Sequence, residues 1–178
     1  MARADSNAMD NDLDAISAQL EGGRDFEFPP LHLWHPELSG DIAIRIAADG
    51  TWYHDGEPIR RESLRNLFAS ILRKEDDGEF YLVTPVEKWR VSVELHPLIV
   101  TDIDLINDQF QLTLNTGKVV TAGAEYELFL DPAVDNVAAI TLWHGLTAIF
   151  SRSAWYRLVS FADDKGMVSA GGISLQLV

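Results

Sequence analysis

RKEDDGEFYLVTPVEKWR, residues 73–90, carries a charged turn, an apolar strand, a proline break and a second strand of mixed charge. Asp76-Asp77-Gly78 reads as the turn, since glycine tolerates the positive φ such turns require. Residues 79–84 then read as one strand and 86–95 as another, parted by Pro85. Alternation sets Glu87 with Trp89 on one face of that second strand and Lys88 with Arg90 on the other. Upstream, 60–73 has the strongest helical pattern, with Leu64, Leu67, Phe68, Ile71 and Leu72 at i, i+3, i+4, i+7 and i+8.

Further out, Ile42, Ile44 and Ile46 alternate as a strand. Asp49-Gly50 predicts a hairpin turn into a return strand at 51–54, and Asp55-Gly56 turns again before Pro58 leads to the helix. The proline-rich lead-in, 26–40, is expected as loop, with Leu31, Leu33 and Trp34 plugging onto the core. Residues 1–24 read as a flexible acidic leader with a short helix over 12–20 on Leu13, Ile16 and Leu20. Ser6-Asn7-Ala8 before Met9 resembles a cloning scar.

The second half reads as mostly β. Strands are expected at 98–106 and 109–114 across Asn107-Asp108, then at 118–121, 125–130 and 137–143. Ser151 should cap a helix over 152–162 with Trp155, Leu158, Val159 and Ala162 on one face. Two short strands across Gly171-Gly172 close the chain. An ungapped shift of 91 sets Trp52 on Trp143, Ile59 on Phe150, Arg61 on Arg152, Leu64 on Trp155 and Leu67 on Leu158. The reading is an α+β protein of two similar strand-helix-strand units, an internal duplication, each with an antiparallel sheet and one main helix. The domains expected are 25–95 and 96–178, and the seam between them is the expected ligand cleft.

The 178 residues are 47% hydrophobic, enough to bury a core, and contain no cysteine, which excludes disulfides and thiolate metal sites. No run reaches membrane-span length, and the first residues lack the order of a secretory signal, so the cytoplasm is the expected compartment. A net charge of −14 makes long nucleic acids and anionic membranes poor partners. Residues 45–90 hold eight of the fourteen basic residues against nine acids, so a small anion finds its best local potential there.

His32 and His35 with Glu37 and Asp41 lack a diagnostic metal spacing, and the acids at 75–79 are too compact for a calcium loop. No nucleophile elbow, phosphate loop or dinucleotide fingerprint is present. Neither a catalytic residue, a metal nor a cofactor is assigned. The expected ligand-binding set is Arg61, Lys88 and Arg90 on anionic oxygens, Glu87 as hydrogen-bond acceptor, and Trp52 or Tyr81 stacking a flat base. The partner is then a small anion, perceived by a regulatory protein. A protein-interaction module using exposed β edges is the alternative, and a hydrolase or metal enzyme the weaker one.

Several stretches resemble the bacterial domain of unknown function 1285 family. They are Gly40-Asp41-Ile42, Arg45-Ile46 to Asp49-Gly50-Thr51-Trp52, Gly56 to Arg61, Leu67-Phe68 to Arg73, Glu75-Asp76-Asp77-Gly78 and Tyr81 to Lys88. A looser match continues from Gly145-Leu146 to Gly171-Gly172. The resemblance implies a duplicated α+β core, a C-terminal half similar to pleckstrin-homology folds, and a groove between domains for a nucleotide-like ligand with a role in signalling. It carries over no catalytic residue, and the chain departs from the pattern at His35 and Trp89.

Overall fold

The computed structural model describes residues 13–18 and 28–177. The sequence expectations for the cloning scar, most of the leader, Leu20 and Phe26 lie outside the described residues. Residues 13–18 form a helical stretch, α1, in which Ile16 is fully buried. The chain divides into two units: residues up to 47 with 51–93, and residues 48–50 with 94–178. The 48–50 turn is tied to the second unit by the Ala48 amide, which donates to Glu94 Oε2 at 3.0 Å.

The first unit holds β1 (Leu38–Ile46), β2 (Trp52–His54), β3 (Glu57–Pro58), α2 (Glu62–Ser70), β4 (Leu72–Lys74), β5 (Phe80–Val83) and β6 (Lys88–Val93). They form one sheet in the order β3-β2-β1-β6-β5-β4. Ile42, Ile44 and Ile46 face the core as their alternation requires. Each flank of the sheet is an antiparallel meander, but the central pair, β1 with β6, is parallel. The sheet is therefore mixed, where a purely antiparallel one was expected. Parallel pairing joins strands far apart in sequence, so no local turn announces it.

The central pair is bulged between Leu38 and Gly40, and Gly40 lies opposite Trp89. Gly40 has φ +147, and a Cβ there would sit 3.4 Å from the Trp89 ring. Glycine thus supplies the backbone angle, while a Cβ would meet the indole only in ordinary contact.

The helix expected over 60–73 ends at Ser70. Leu72, which fits the helical stripe, instead opens β4 opposite Leu82, and both are fully buried. Strand pairing satisfies the backbone and buries the same side chain, so the tertiary contact overrides the helical period. Phe68, fully buried on α2, stacks on Trp52 of β2 with ring centroids 6.3 Å apart. In the lead-in, a 3-10 turn at Leu31–Leu33 buries Leu31, while Leu33 stays 66% exposed rather than plugging the core.

The second unit holds β7 (Leu98–Ile106), β8 (Gln109–Leu114), β9 (Val119–Thr121), β10 (Leu128–Asp131), β11 (Val137–Thr141), β12 (Thr147–Phe150), α3 (Arg152–Ser160), β13 (Met167–Ala170) and β14 (Ile173–Gln176). Asn107 and Asp108 both take positive φ, the two-residue hairpin turn that joins β7 to β8. The main sheet runs β10-β11-β12-β7-β8-β9, again two antiparallel meanders joined by a parallel pair, β12 with β7. β13 and β14 form a separate hairpin.

The two six-stranded sheets thus share one layout, in which the first and last strands meet at the centre. The helices do not share a place in it. α2 lies between the two meanders of its unit, whereas α3 follows the last strand of its sheet and packs on β7 and β12. The shift of 91 therefore superposes helices in different topological positions, and Trp143, matched to Trp52 of β2, stands on a 3-10 turn. Strand for strand, β1 answers to β7, and both are nine residues long. Strand β12 was missed from sequence because Ala138 to Phe150 is apolar almost throughout, without a turn signal that stands out. On α3, Ala154 and Leu158 are the buried positions, while Val159 is 41% exposed.

Because the central parallel pair closes the first sheet, Gly40→Ala is expected to lower stability by about 1–3 kcal/mol. Urea denaturation reads this as a lower midpoint with an unchanged slope, and an unchanged midpoint would count against a strained seam at Gly40.

Candidate ligand-binding sites

Strands β4, β5 and β6 gather the charges of residues 73–90 into one network. Arg73 donates from Nη1 to the carbonyls of Leu31 at 2.8 Å and Trp34 at 2.9 Å, and from Nη2 to Glu75 Oε1 at 2.5 Å. It thereby holds the 31–34 turn against β4. Lys88 Nζ donates to the other Glu75 oxygen at 3.0 Å and lies 4.7 Å from the centre of the Tyr81 ring. Arg90 lies 5.9 Å from the same ring and pairs with Asp41 at 3.1 Å. The Tyr81 hydroxyl donates to Asp77 Oδ2 at 2.5 Å.

The structure thus brings Lys88, Arg90 and Tyr81 together, on the shared face that alternation sets for the two cations. It also supplies each cation with a carboxylate. Tyr81 is 2% exposed with cations over its ring, and Trp52 is 2% exposed against Phe68, so neither ring offers a face to a base. Glu87 closes a tight turn. Its amide donates to the buried Thr84 Oγ1 at 3.0 Å, and its carbonyl accepts from the Thr84 amide at 2.9 Å. Arg61 belongs to another element, exposed at the N-terminal end of α2. The six residues therefore do not converge on one cavity. A pocket of about 380 Å³ beside Arg90 is also lined by Asp41 and Glu79, whose two charges outweigh the guanidinium and disfavour an anion.

The network sets the protonation of its acids. Burial pushes the Glu75 carboxyl up, but the hydrogen bonds and charges of Arg73 and Lys88 outweigh it and hold Glu75 below the usual glutamate range. The Tyr81 hydrogen bond, helped by the Glu79 amide, holds Asp77 below the usual aspartate range, and its counterpart pushes the Tyr81 phenol up.

His32 and His35 are exposed on the lead-in, and among the described residues no three histidine or acidic side chains stand together as metal ligands.

The second unit contains two features that sequence reading missed. The first is a clasp on His96, which is 5% exposed just before β7. Its Nε2 lies 2.7 Å from Asp131 Oδ2 and its Nδ1 lies 2.6 Å from Thr147 Oγ1. Nε2 donates to the Asp131 carboxylate, which can only accept, and Nδ1 shares a hydrogen bond with the threonine hydroxyl. The clasp ties the end of β10 to the start of β12. The Ala133 amide and then the His96 bond hold the Asp131 carboxyl below its ordinary range. The partners lie 35 and 51 residues from His96 in sequence, and nothing local links them.

The second feature is a cleft of about 510 Å³ at the N-terminal end of α3. Ile99 of β7, Val137 of β11, and Ile149 and Phe150 of β12 line it, with Leu95 and with Val134 from the 3-10 turn Pro132–Val134. Trp155 and Tyr156 of α3 and Ala48 with Asp49 of the 48–50 turn complete the lining. Ser151 and Arg152 are its remaining polar members. Ser151 caps the helix as expected: its hydroxyl accepts from the Ala154 amide at 3.2 Å, and its own amide donates to the Val100 carbonyl. The amides of Arg152 and Ser153 are left without an intrahelical acceptor. Arg152 is exposed, with its guanidinium 5.8 Å from the centre of the Tyr156 ring. One turn on, Arg157 pairs with Asp102 and Asp104 and fixes α3 to β7. The only sequence signal for this site was the helix cap with an arginine beside it.

The family model of the domain of unknown function DUF1285, N-terminal domain, matches residues 29–95. Among solved structures, the chain is similar to a DUF1285 family protein from Silicibacter pomeroyi, with 32% identity, a TM-score of 0.79, and coverage of 92% of this chain and 94% of that one. It is also similar to a DUF1285 family protein from Shewanella baltica, with 29% identity, a TM-score of 0.58, and coverage of 68% of this chain and 94% of that one. No curated protein matches the chain.

Two outcomes check the networks. A carboxyl held low in the fold contributes stability that is present above its unfolded pKa and is lost as pH falls through its folded pKa. The advantage of the wild type over Glu75→Gln in urea should therefore be full near neutrality and shrink in acid below the ordinary glutamate range. A pH-independent difference would contradict the ion-pair account. His96→Phe, which removes the histidine partner of Asp131 Oδ2 and Thr147 Oγ1, should cost about 1–3 kcal/mol, measured by the same denaturation.

Proposed function

The chain belongs to the DUF1285 family, and from that premise we propose that it is a ligand-binding, regulatory protein whose ligand is a small anion with an apolar or flat body. The cleft of the second unit carries this reading: an apolar cavity of about 510 Å³ with one exposed guanidinium and a helix N-terminus at its rim. Cavities of this size lined by apolar and aromatic side chains, with a few polar groups that fix orientation, are the usual form of a small-molecule site. Arg152 and the open amides of α3 would take the anionic oxygens. Trp155 and Tyr156 offer aromatic surface for a flat ring, and Asp49 accepts hydrogen bonds. A nucleotide-like ligand fits that description, and sensing one would give the protein a part in signal transduction in the cytoplasm.

The ligand chemistry expected from the sequence is kept, but its place moves. Lys88 and Arg90 are engaged with Glu75 and Asp41, whereas Arg152, among the described residues, lies over the Tyr156 ring with no carboxylate paired to it. We also infer that the two units arose by duplication. The identical placement of six strands in each sheet supports this, on a strand-for-strand correspondence rather than the shift of 91. A C-terminal helix following two meanders is what supports a pleckstrin-homology-like reading of the second unit.

Isothermal titration against a panel of nucleotides, cyclic nucleotides and organic acids tests the function. At least one should bind, and Arg152→Ala should weaken it about tenfold, the loss of about 1.4 kcal/mol. Silence across the panel at millimolar ligand, or binding untouched by Arg152→Ala but lost in Lys88→Ala, would overturn the assignment.

A further inference from the structure

The cleft's charges set a narrower requirement, which rests on the binding function just proposed. We infer that the site accepts a singly charged amphipathic anion and rejects polyphosphates. Arg152 and Asp49 are the two charged residues of its lining, so the lining is neutral before a ligand enters. The second unit as a whole, these two included, carries eleven acidic residues against four basic ones. Of those four, Arg157 is already paired with Asp102 and Asp104. One negative charge on a ligand is matched by Arg152 and the α3 amides. Each further charge finds no second cation in the lining and meets the net negative field of the unit.

The rest of the lining makes the complementary demand. Ile99, Ile149, Phe150, Val134 and Val137 offer no partner to a sugar hydroxyl or a second phosphate, and they gain only from apolar surface. A polar ligand body there would lose its water without replacement hydrogen bonds. The ligand is therefore a monoanion with a hydrophobic or aromatic body. A medium-chain carboxylate and an aromatic carboxylate share that chemistry and differ in body, while a cyclic mononucleotide matches the charge but brings a sugar hydroxyl and is the polar-bodied comparison.

Isothermal titration of the full chain at fixed ionic strength with decanoate, 2-naphthoate, a cyclic mononucleotide, decanol and ATP tests it. At least one monoanion should bind about tenfold or more tightly than ATP, and the best of the three identifies the body. Arg152→Gln should bring decanoate down to the affinity of decanol, and Asp49→Asn should narrow the gap between monoanion and ATP. ATP binding as tightly as every monoanion, with Arg152→Gln abolishing it, would overturn the charge requirement and leave the binding function standing. No binding by any of the five would overturn the binding function itself.

Discussion

Each sheet depends on one pairing, the parallel contact between its first and last strands. In the first unit β1 meets β6 and in the second β7 meets β12, with a meander hung on either side. Such a pair forms only once everything between its strands has been placed, so it costs loop entropy and returns stability late. Gly40 shows how tightly it is fitted: a bulge, a positive φ and an indole overhead meet at one residue. In the second unit the same pairing brings the end of β12 beside β7, and the chain turns from there directly into α3. The helix N-terminus and its arginine stand at the cleft for that reason.

The two units treat their cations differently. The first binds three of them internally: Arg73, Lys88 and Arg90 each meet a carboxylate, and Arg73 also meets two carbonyls. A half-buried cation with a partner is a structural part, and breaking it leaves an uncompensated charge. The second unit has few cations, and Arg157 is used to fix α3. Arg152 stands at the rim of an apolar cavity, where, on the function proposed above, an anion would gain both charge pairing and burial. The richer local supply of positive charge in 45–90 is thus matched by a richer local supply of acids.

Much of the fold was legible because its signals are local. The β7–β8 hairpin follows from alternation on both sides of Asn107-Asp108, and the closing hairpin from Gly171-Gly172. Ser151 was readable as a cap. Legibility failed where distant contacts decide. Leu72 satisfies a helix and a strand equally, and only its pairing with Leu82 selects the strand. β12 hides in an apolar run, and without it the parallel pair, the true correspondence of the two halves and the cleft are all out of view. The partners of the candidate residues were hidden for the same cause. Charge and residue type pointed to Lys88 and Arg90, but Glu75 lies 13 residues from one and Asp41 49 residues from the other, and those acids decide what the cations do. Tyr81 and Trp52 read as aromatics of either use, and burial settled them as core.

The most direct test is a nitrogen–proton NMR map of the assigned full chain titrated with the best-binding monoanion. The account predicts shifts concentrated on Ile99, Ile149, Phe150, Ser151, Arg152 and Trp155, with the amides of Arg152 and Ser153 moving farthest. Shifts centred on Tyr81, Lys88 and Arg90 would contradict it.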